Sequence, residues 1–160
     1  MATSVNTEEY NGTSWATVNN MYAHKREGGS AGTQTAGFAA GGNGNPSASQ
    51  WLITHEYDGT NWTVGGAILT KRNNNGTWGS LTAGLTVANG DYSATSETYD
   101  GTCWSAVGDE PAGKAKSFGL GQASGGTDGL HHGGDVSGTA WVTSTYQFAD
   151  ALTARTITNS

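Results

Sequence analysis

A nine-residue phrase, Thr7-Glu8-Glu9-Tyr10-Asn11-Gly12-Thr13-Ser14-Trp15, comes back twice along the chain. It returns as Thr54-His55-Glu56-Tyr57-Asp58-Gly59-Thr60-Asn61-Trp62 and as Ser96-Glu97-Thr98-Tyr99-Asp100-Gly101-Thr102-Cys103-Trp104. The shared skeleton is Tyr-(Asn/Asp)-Gly-Thr-x-Trp. Its tyrosines stand 47 and then 42 residues apart, and Tyr146 follows after a further 47 without the Gly-Thr-x-Trp tail. A period of this length restricts the chain to architectures in which one supersecondary unit is built again and again, each burying its faces against its neighbours.

The phrase itself is a hairpin. Val5, Thr7 and Glu9 alternate towards Tyr10, Asn11-Gly12 turns the chain, and Trp15-Ala16-Thr17-Val18 runs back. Asn-Gly or Asp-Gly between β-type segments is a strong hairpin signal. Between the phrases lie short strands rich in small residues. In the first interval the segment Ala23 to Gly42 holds two short, small-residue strands around the turn Gly32-Thr33-Gln34-Thr35 and stops at Gly41-Gly42; a loop at 43–47 leads into a strand over Gln50 to Tyr57. Glycine within a strand marks close approach of another group, which places these strands in a crowded interior. The second interval supplies Thr77 to Leu81 and Ala83 to Ala88, with Asn89-Gly90 standing for Gly-Gly and Lys71-Arg72 matching Lys25-Arg26. The third runs from Lys114 or Lys116 through Ser117 to Gly121, turns at 124–127, continues to His131-His132 and Gly133-Gly134, and adds Trp141 to Tyr146. No stretch shows helical periodicity. Four antiparallel strands every 42 to 47 residues is the pattern of a propeller blade. The expected division is a half-blade at 1–22, blades at 23–66, 67–110 and 111–150, and a tail at 151–160. There Thr156-Ile157-Thr158 reads as the first strand of a split blade, completed by both termini or by another subunit.

With Gly-Gly, Tyr and Trp in this order, the chain resembles the kelch-type repeat. The matches are Gly41-Gly42 with Tyr57 and Trp62, Asn89-Gly90 with Tyr99 and Trp104, and Gly133-Gly134 with Tyr146. The Tyr-Asn-Gly-Thr-Ser-Trp phrase with Ala-Gly-Thr-Gln-Thr-Ala-Gly-Phe-Ala also resembles repeat arrays of virion-surface proteins of aquatic bacteriophages. The resemblance implies an all-β, kelch-like propeller in which Tyr10, Trp15, Tyr57, Trp62, Tyr99, Trp104 and Tyr146 are structural, packing between blades. It further implies a non-enzymatic display protein of a phage particle: a capsid decoration, fibre or tail attachment module, partnered by other virion proteins and by copies of itself. An alternative is a lectin-like module in which Trp51, Trp78 or Trp141, outside the repeated Trp position, stack on a cell-surface glycan.

Other chemistries find little to stand on. The net charge is −6 and only seven Lys and Arg are spread along the chain, so no basic stripe exists to neutralise phosphates. No apolar run approaches the ~20 residues of a membrane span, and the start shows neither basic nor apolar leader regions, so synthesis in the host cytoplasm and display on the virion surface are expected. The kelch family includes galactose-oxidase-like enzymes, which hold copper with two His and Tyr beside a Cys–Tyr cross-link. Here the candidates are His24, His55, His131, His132 and the single Cys103. His131 and His132 would point to opposite faces of a strand, and Cys103 occupies the variable place in a turn. No cofactor is expected. The acidic residues Glu9, Glu56, Glu97, Asp58 and Asp100 could offer carboxylate pairs, but they recur with the repeat. The Asn-x-Thr triplets at Asn11, Asn61 and Asn75 match glycosylation acceptors, two of them within turns. Glycines such as Gly28-Gly29 do not open a helix, which argues against a phosphate loop.

Overall fold

The computed structural model describes residues 4–44, 51–121, 128–149 and 153–157, which form short strands and turns with no α-helix among them. The expected turns at 45–47 and 124–127, and Gln50 and Thr158, lie outside the described residues.

The N-terminal hairpin is β1 (Thr7–Tyr10) with β2 (Trp15–Val18). A short pair, β3 (Lys25–Arg26) with β6 (Asn43–Gly44), precedes three four-stranded antiparallel sheets. The first sheet holds β4 (Gly29–Thr33), β5 (Ala36–Ala40), β7 (His55–Tyr57) and β8 (Trp62–Val64). The second holds β9 (Gly76–Ser80), β10 (Ala83–Val87), β11 (Ser96–Tyr99) and β12 (Trp104–Val107). The third holds β13 (Phe118–Gly121), β14 (Gly129–His132), β15 (Thr145–Ala149) and β16 (Thr153–Ile157). The architecture is that of propeller-like blades, as the repeat predicts. One assignment changes. The tail is not the first strand of a split blade: β16 pairs along its length with β15 and completes the third sheet. The third blade otherwise would have left β15 with an open edge, and strand pairing removes that edge.

The hairpin turns show why the phrase recurs. Tyr10 pairs with Trp15, Tyr57 with Trp62 and Tyr99 with Trp104. Between them the Asn11 side-chain oxygen accepts the backbone N–H groups of Thr13 and Ser14 at 2.9 and 3.0 Å. Asp58 does the same for Thr60 and Asn61, and Asp100 for Thr102 and Cys103. These bonds hold the Asp58 and Asp100 carboxyls below the usual range. Only the glycine takes the left-handed conformation, with φ of 96°, 93° and 92° at Gly12, Gly59 and Gly101. The turn therefore runs on an Asx side chain plus one glycine, and not on two residues of positive φ.

Two cores lie in the gaps between sheets. Phe38, Ala40 and Ile68 meet Tyr99 and Trp104 in the first gap. Trp78, Leu85, Val87 and Ala88 meet Phe148 in the second. Trp78 spreads across the glycines of the third sheet: a Cβ at Gly119, Gly121 or Gly129 would come within 2.5, 2.1 and 2.3 Å of its ring. The strand glycines are thus seats for a neighbour's side chain.

Hydrogen bonds cross the gaps at the same repeat positions. Trp62 Nε1 donates to Thr7 Oγ1 at 2.8 Å, and Trp104 Nε1 donates to Thr54 Oγ1 at 2.8 Å. The Tyr57 hydroxyl donates to Glu9 at 2.6 Å, and the Tyr99 hydroxyl donates to Glu56. Each Tyr–Trp pair thereby docks on the Thr-x-Glu strand of the preceding unit. The hydrogen bond to Glu9 raises the Tyr57 phenol to about 12, and burial followed by the bond to Glu56 does so for Tyr99.

The third unit departs from this, and Tyr146 with it. Gly37 pairs with Tyr57, Gly84 with Tyr99, and Gly129 with Phe148. Phe148, not Tyr146, fills the tyrosine position. A phenyl ring needs no acceptor, and the second sheet offers Thr98 where Glu9 and Glu56 stood. No tryptophan follows, and the Ser96 hydroxyl, equivalent to Thr7 and Thr54, is buried without a hydrogen-bond partner. Trp104→Phe should cost about 1–3 kcal/mol, because it strands the buried Thr54 hydroxyl. Ser96→Ala should be neutral or stabilising, because it removes a hydroxyl that has no partner. Urea denaturation of both variants tests this; equal losses would refute the assigned pairing.

Candidate functional site

The groups with chemical potential divide into two sets: those sealed in the joints and those left on the loops.

The first sealed set is a cation beneath each sheet, buried at Arg72 and Lys114 and half-buried at Lys25. Lys25, Arg72 and Lys114 stand 47 and then 42 residues apart, the spacing of the tyrosines. Lys25 Nζ donates to the carbonyls of Gly41, at 2.7 Å, and Ile53. Arg72 Nη1 donates to the equivalent carbonyls of Ala88 and Thr95 at 2.7 Å. Lys114 Nζ donates to Ser144 at 2.9 Å. Arg26, which Lys71-Arg72 appeared to match, is exposed. The residue two places before the tyrosine position completes each nest. Glu97 binds Arg72 at 2.8 Å and also accepts the backbone N–H groups of Leu69 and Thr70. The Tyr146 ring lies 3.8 Å from Lys114 Nζ, a cation–π contact. His55 takes that place beside Lys25. Burial drives Lys25 down to about 8, and burial with the Lys25 charge drives His55 down to about 4. These nests clamp the connection between the second and third strands. Glu97 is therefore one residue out of register with Glu9 and Glu56, so the three glutamates do not share one repeat position.

The second sealed set joins Ser117, His131 and Glu110. His131 Nδ1 lies 2.6 Å from Glu110 Oε2, and its Nε2 lies 2.5 Å from Ser117 Oγ. The order nucleophile–imidazole–carboxylate is that of a hydrolytic triad. A nucleophile needs an open approach for its substrate, and all three residues are buried. His131 also sits against Gly76, whose Cβ would fall 2.7 Å from the imidazole Cδ2. Asn75 and Thr86, the equivalents of Ser117 and His131 one unit earlier, are likewise hydrogen-bonded at 2.7 Å, and Asn75 with Thr77 presses on the preceding sheet at Gly29. The triad geometry is thus the third unit's version of a recurring joint. His132 turns the other way and stacks on Phe118 with 5.9 Å between centroids. Among the described residues no group of three or more His, Cys, Asp or Glu could hold a metal ion. Cys103 is exposed, and its thiol is raised by the Asp100 carboxylate it faces.

The loop set is different. Trp51 is half-buried and lines a cavity of about 560 Å³ with Leu69, Lys71, Asn73, Asn89 and Asp91. Lys71 Nζ lies 5.8 Å from the Trp51 ring. Trp141 occupies the corresponding loop of the third sheet, 73% exposed, with Lys116 Nζ at 6.0 Å. Trp78, the third tryptophan outside the repeat, is 3% exposed and forms core, so it is closed to any ligand. The sequence could not separate Trp78 from the other two, because all three are tryptophans in small-residue surroundings. Its strand position facing three glycines is the distinguishing signal.

No family model matches the chain, and no curated protein does. Among solved structures, one titled "Structure of YjhT" superposes with a TM-score of 0.72 at 13% identity, over 90% of this chain and 49% of that one. The likeness shows the fold: a blade-type, propeller-like array. The chain spans about half the length of that structure.

Because His55 is buried with neither ring nitrogen hydrogen-bonded, it prefers to be neutral in the folded chain. A base whose folded pKa lies below its unfolded value binds more protons when unfolded. Stability is then lost as the pH falls from about 6.5 to about 4. His55→Phe should flatten that part of the curve relative to the parent chain. Thermal melts at pH 7, 5.5 and 4.5 read the difference, and parallel losses in both proteins would exclude His55 as the source.

Proposed function

We propose that this chain is a non-enzymatic display module of a bacteriophage particle, serving as a capsid decoration, fibre or tail attachment component. The observation that carries this is the division just described. Ser117, His131 and Glu110, and the Arg72–Glu97 pair, are sealed in joints and nests, while Trp51 and Trp141 remain on loops. The resemblance of the Tyr-Asn-Gly-Thr-Ser-Trp phrase to virion-surface repeat arrays supplies the particle. Such a module works by shape and by repeated presentation: rigid blades hold loops in fixed positions. Its partners are other virion proteins, and it is carried on the virion surface. Mass spectrometry and immunogold labelling of purified particles from the encoding phage should find it there in many copies. Its absence from washed particles would refute the assignment.

A second reading is favoured by one feature, the Trp51 cavity. An aromatic face beside amides, a lysine and a carboxylate suits a sugar, whose ring stacks while its hydroxyls bond to Asn73, Asn89 and Asp91. Its size falls within the range of small-ligand sites. Display and glycan binding are compatible. In a glycan panel, Trp51→Ala should weaken any binding about tenfold or more, equivalent to about 1.4 kcal/mol. Trp141→Ala should change it less. No binding by the parent chain at millimolar glycan would remove this second reading and leave display intact.

A further inference from the structure

Both ends of the array carry one half of the joint that holds its middle together. In the two bonded joints, a Tyr–Trp pair donates to a Thr-x-Glu strand of the preceding unit. Tyr10 and Trp15 form the same pair, with ring centroids 5.2 Å apart, yet they are 47% and 67% exposed. Their equivalents Tyr99 and Trp104 are 1% and 4% exposed. Tyr10 and Trp15 therefore form an exposed aromatic face; the Trp15 indole N–H is its donor, while the Tyr10 hydroxyl donates to the Gly12 carbonyl at 2.9 Å and would turn outward on docking.

The acceptor half stands at the other end. With Phe148 in the tyrosine position, the strand reads Thr145-Tyr146-Gln147-Phe148, in register with Thr54-His55-Glu56-Tyr57 and Thr7-Glu8-Glu9-Tyr10. Phe148 faces the second sheet, so Thr145 and Gln147 face outward. Gln147 is exposed and borders a cavity of about 350 Å³ with Leu120, Leu130 and Phe148. A threonine hydroxyl and an amide oxygen are fit acceptors for an indole N–H and a phenol. Phe118 and Leu120 supply apolar area beside them, 67% and 63% exposed.

A detail of the inner strand points to what this end accepts. Gly29, Gly76 and Phe118 are equivalent positions at the start of the first strand of each sheet. The glycines are required where the next sheet brings Thr77 or His131 against them. Phe118 could not accept a full sheet in that geometry. The N-terminal hairpin, however, holds only third and fourth strands, and so brings no inner strand towards Phe118.

We propose that the hairpin of one copy docks through Tyr10 and Trp15 on the third sheet of a second copy, at Thr145 and Gln147, and that the contact is made twice to close a two-chain ring. Closure by two copies fits a chain that superposes on about half the length of a propeller-like structure. Made twice about a twofold axis, the contact is isologous: Tyr10 and Trp15 of each copy meet Thr145 and Gln147 of the other. Further blades or an unrelated protein are the alternative occupants of these faces, and a parent chain that stays monomeric would favour them.

The experiment uses the full 160-residue chain in sedimentation velocity across a hundredfold range of concentration. The expected mass is twice that of the chain. A donor-end variant (Tyr10→Phe with Trp15→Ala) and an acceptor-end variant (Gln147→Arg) should each raise the dissociation constant at least about tenfold. Their far-ultraviolet circular dichroism spectra should stay those of the parent chain, because the altered side chains are exposed. Mixed together, the two variants keep one intact joint per pair, so native mass spectrometry should show heterodimer in excess of either homodimer. A parent chain that stays monomeric throughout, dimers indifferent to both variants, or a mixture without heterodimer excess would each overturn the proposal. Open filaments would overturn ring closure.

Discussion

A four-stranded sheet made largely of Gly, Ala, Ser and Thr cannot be stable alone, because neither face buries enough apolar area. Everything in this protein depends on how one sheet meets the next. The meeting is made by two side chains, Tyr and Trp, that are flat enough to fill the wedge between twisted sheets and polar enough at one atom to fix the register. Burial supplies most of the free energy. The Trp Nε1 to Thr bond and the Tyr hydroxyl to Glu bond supply direction, since a buried donor without its acceptor costs about 1–3 kcal/mol. The glycines are the other half of that constraint. They appear where a neighbour's ring or hydroxyl must come within a distance that a Cβ would deny it.

Beneath each sheet Lys25, Arg72 and Lys114 solve a separate problem. The connection between the second and third strands turns carbonyls inward, and some of them, Thr95 and Ser144 among them, accept only one backbone N–H. Lys25 and Arg72 each bond two of these carbonyls at once, and Lys114 bonds that of Ser144. The cation's charge is then handled differently in each unit: by the Glu97 carboxylate, by the Tyr146 ring, and beside Lys25 by a His55 that stays neutral. The same geometry is kept by three unlike chemistries. That is how drift between repeats is tolerated when the backbone need is constant.

The hairpins, the four-strand unit and the sheet order were legible in the sequence, because they follow from local rules: an Asx-Gly turn, two-residue alternation, and a Tyr–Trp spacing set by cross-strand pairing. The third unit was misread at two points. Tyr146 follows the expected tyrosine spacing but lies two residues from the tyrosine position, which only the pairing of Gly129 with Phe148 reveals. The tail read as the start of a new blade, yet β16 closes the third one, since a five-residue strand of Thr, Ala, Arg and Ile carries no mark of which neighbour it will pair with. The cation series was hidden by one residue: Lys25-Arg26 and Lys71-Arg72 invite alignment of their arginines, while the cations of the nests are Lys25 and Arg72. Its tyrosine-like spacing was visible all along.

The functional candidates divide in the same way. Identity of residue placed Trp51, Trp78 and Trp141 in one class; burial separated them, because a tryptophan's role depends on whether another sheet covers it. Ser117, His131 and Glu110 are far enough apart in sequence that no spacing rule joins them, and their closeness arises only from the packing of the third sheet on the second. What the sequence by itself determined is the repeating unit and its turns, since those are decided by backbone preferences within a few residues. What only the tertiary structure decided is the register of one unit on the next, and which side chains are sealed and which, like Tyr10, Trp15 and Gln147, stay exposed. Those are properties of long-range contact, and long-range contact is set by shape and burial summed over many residues.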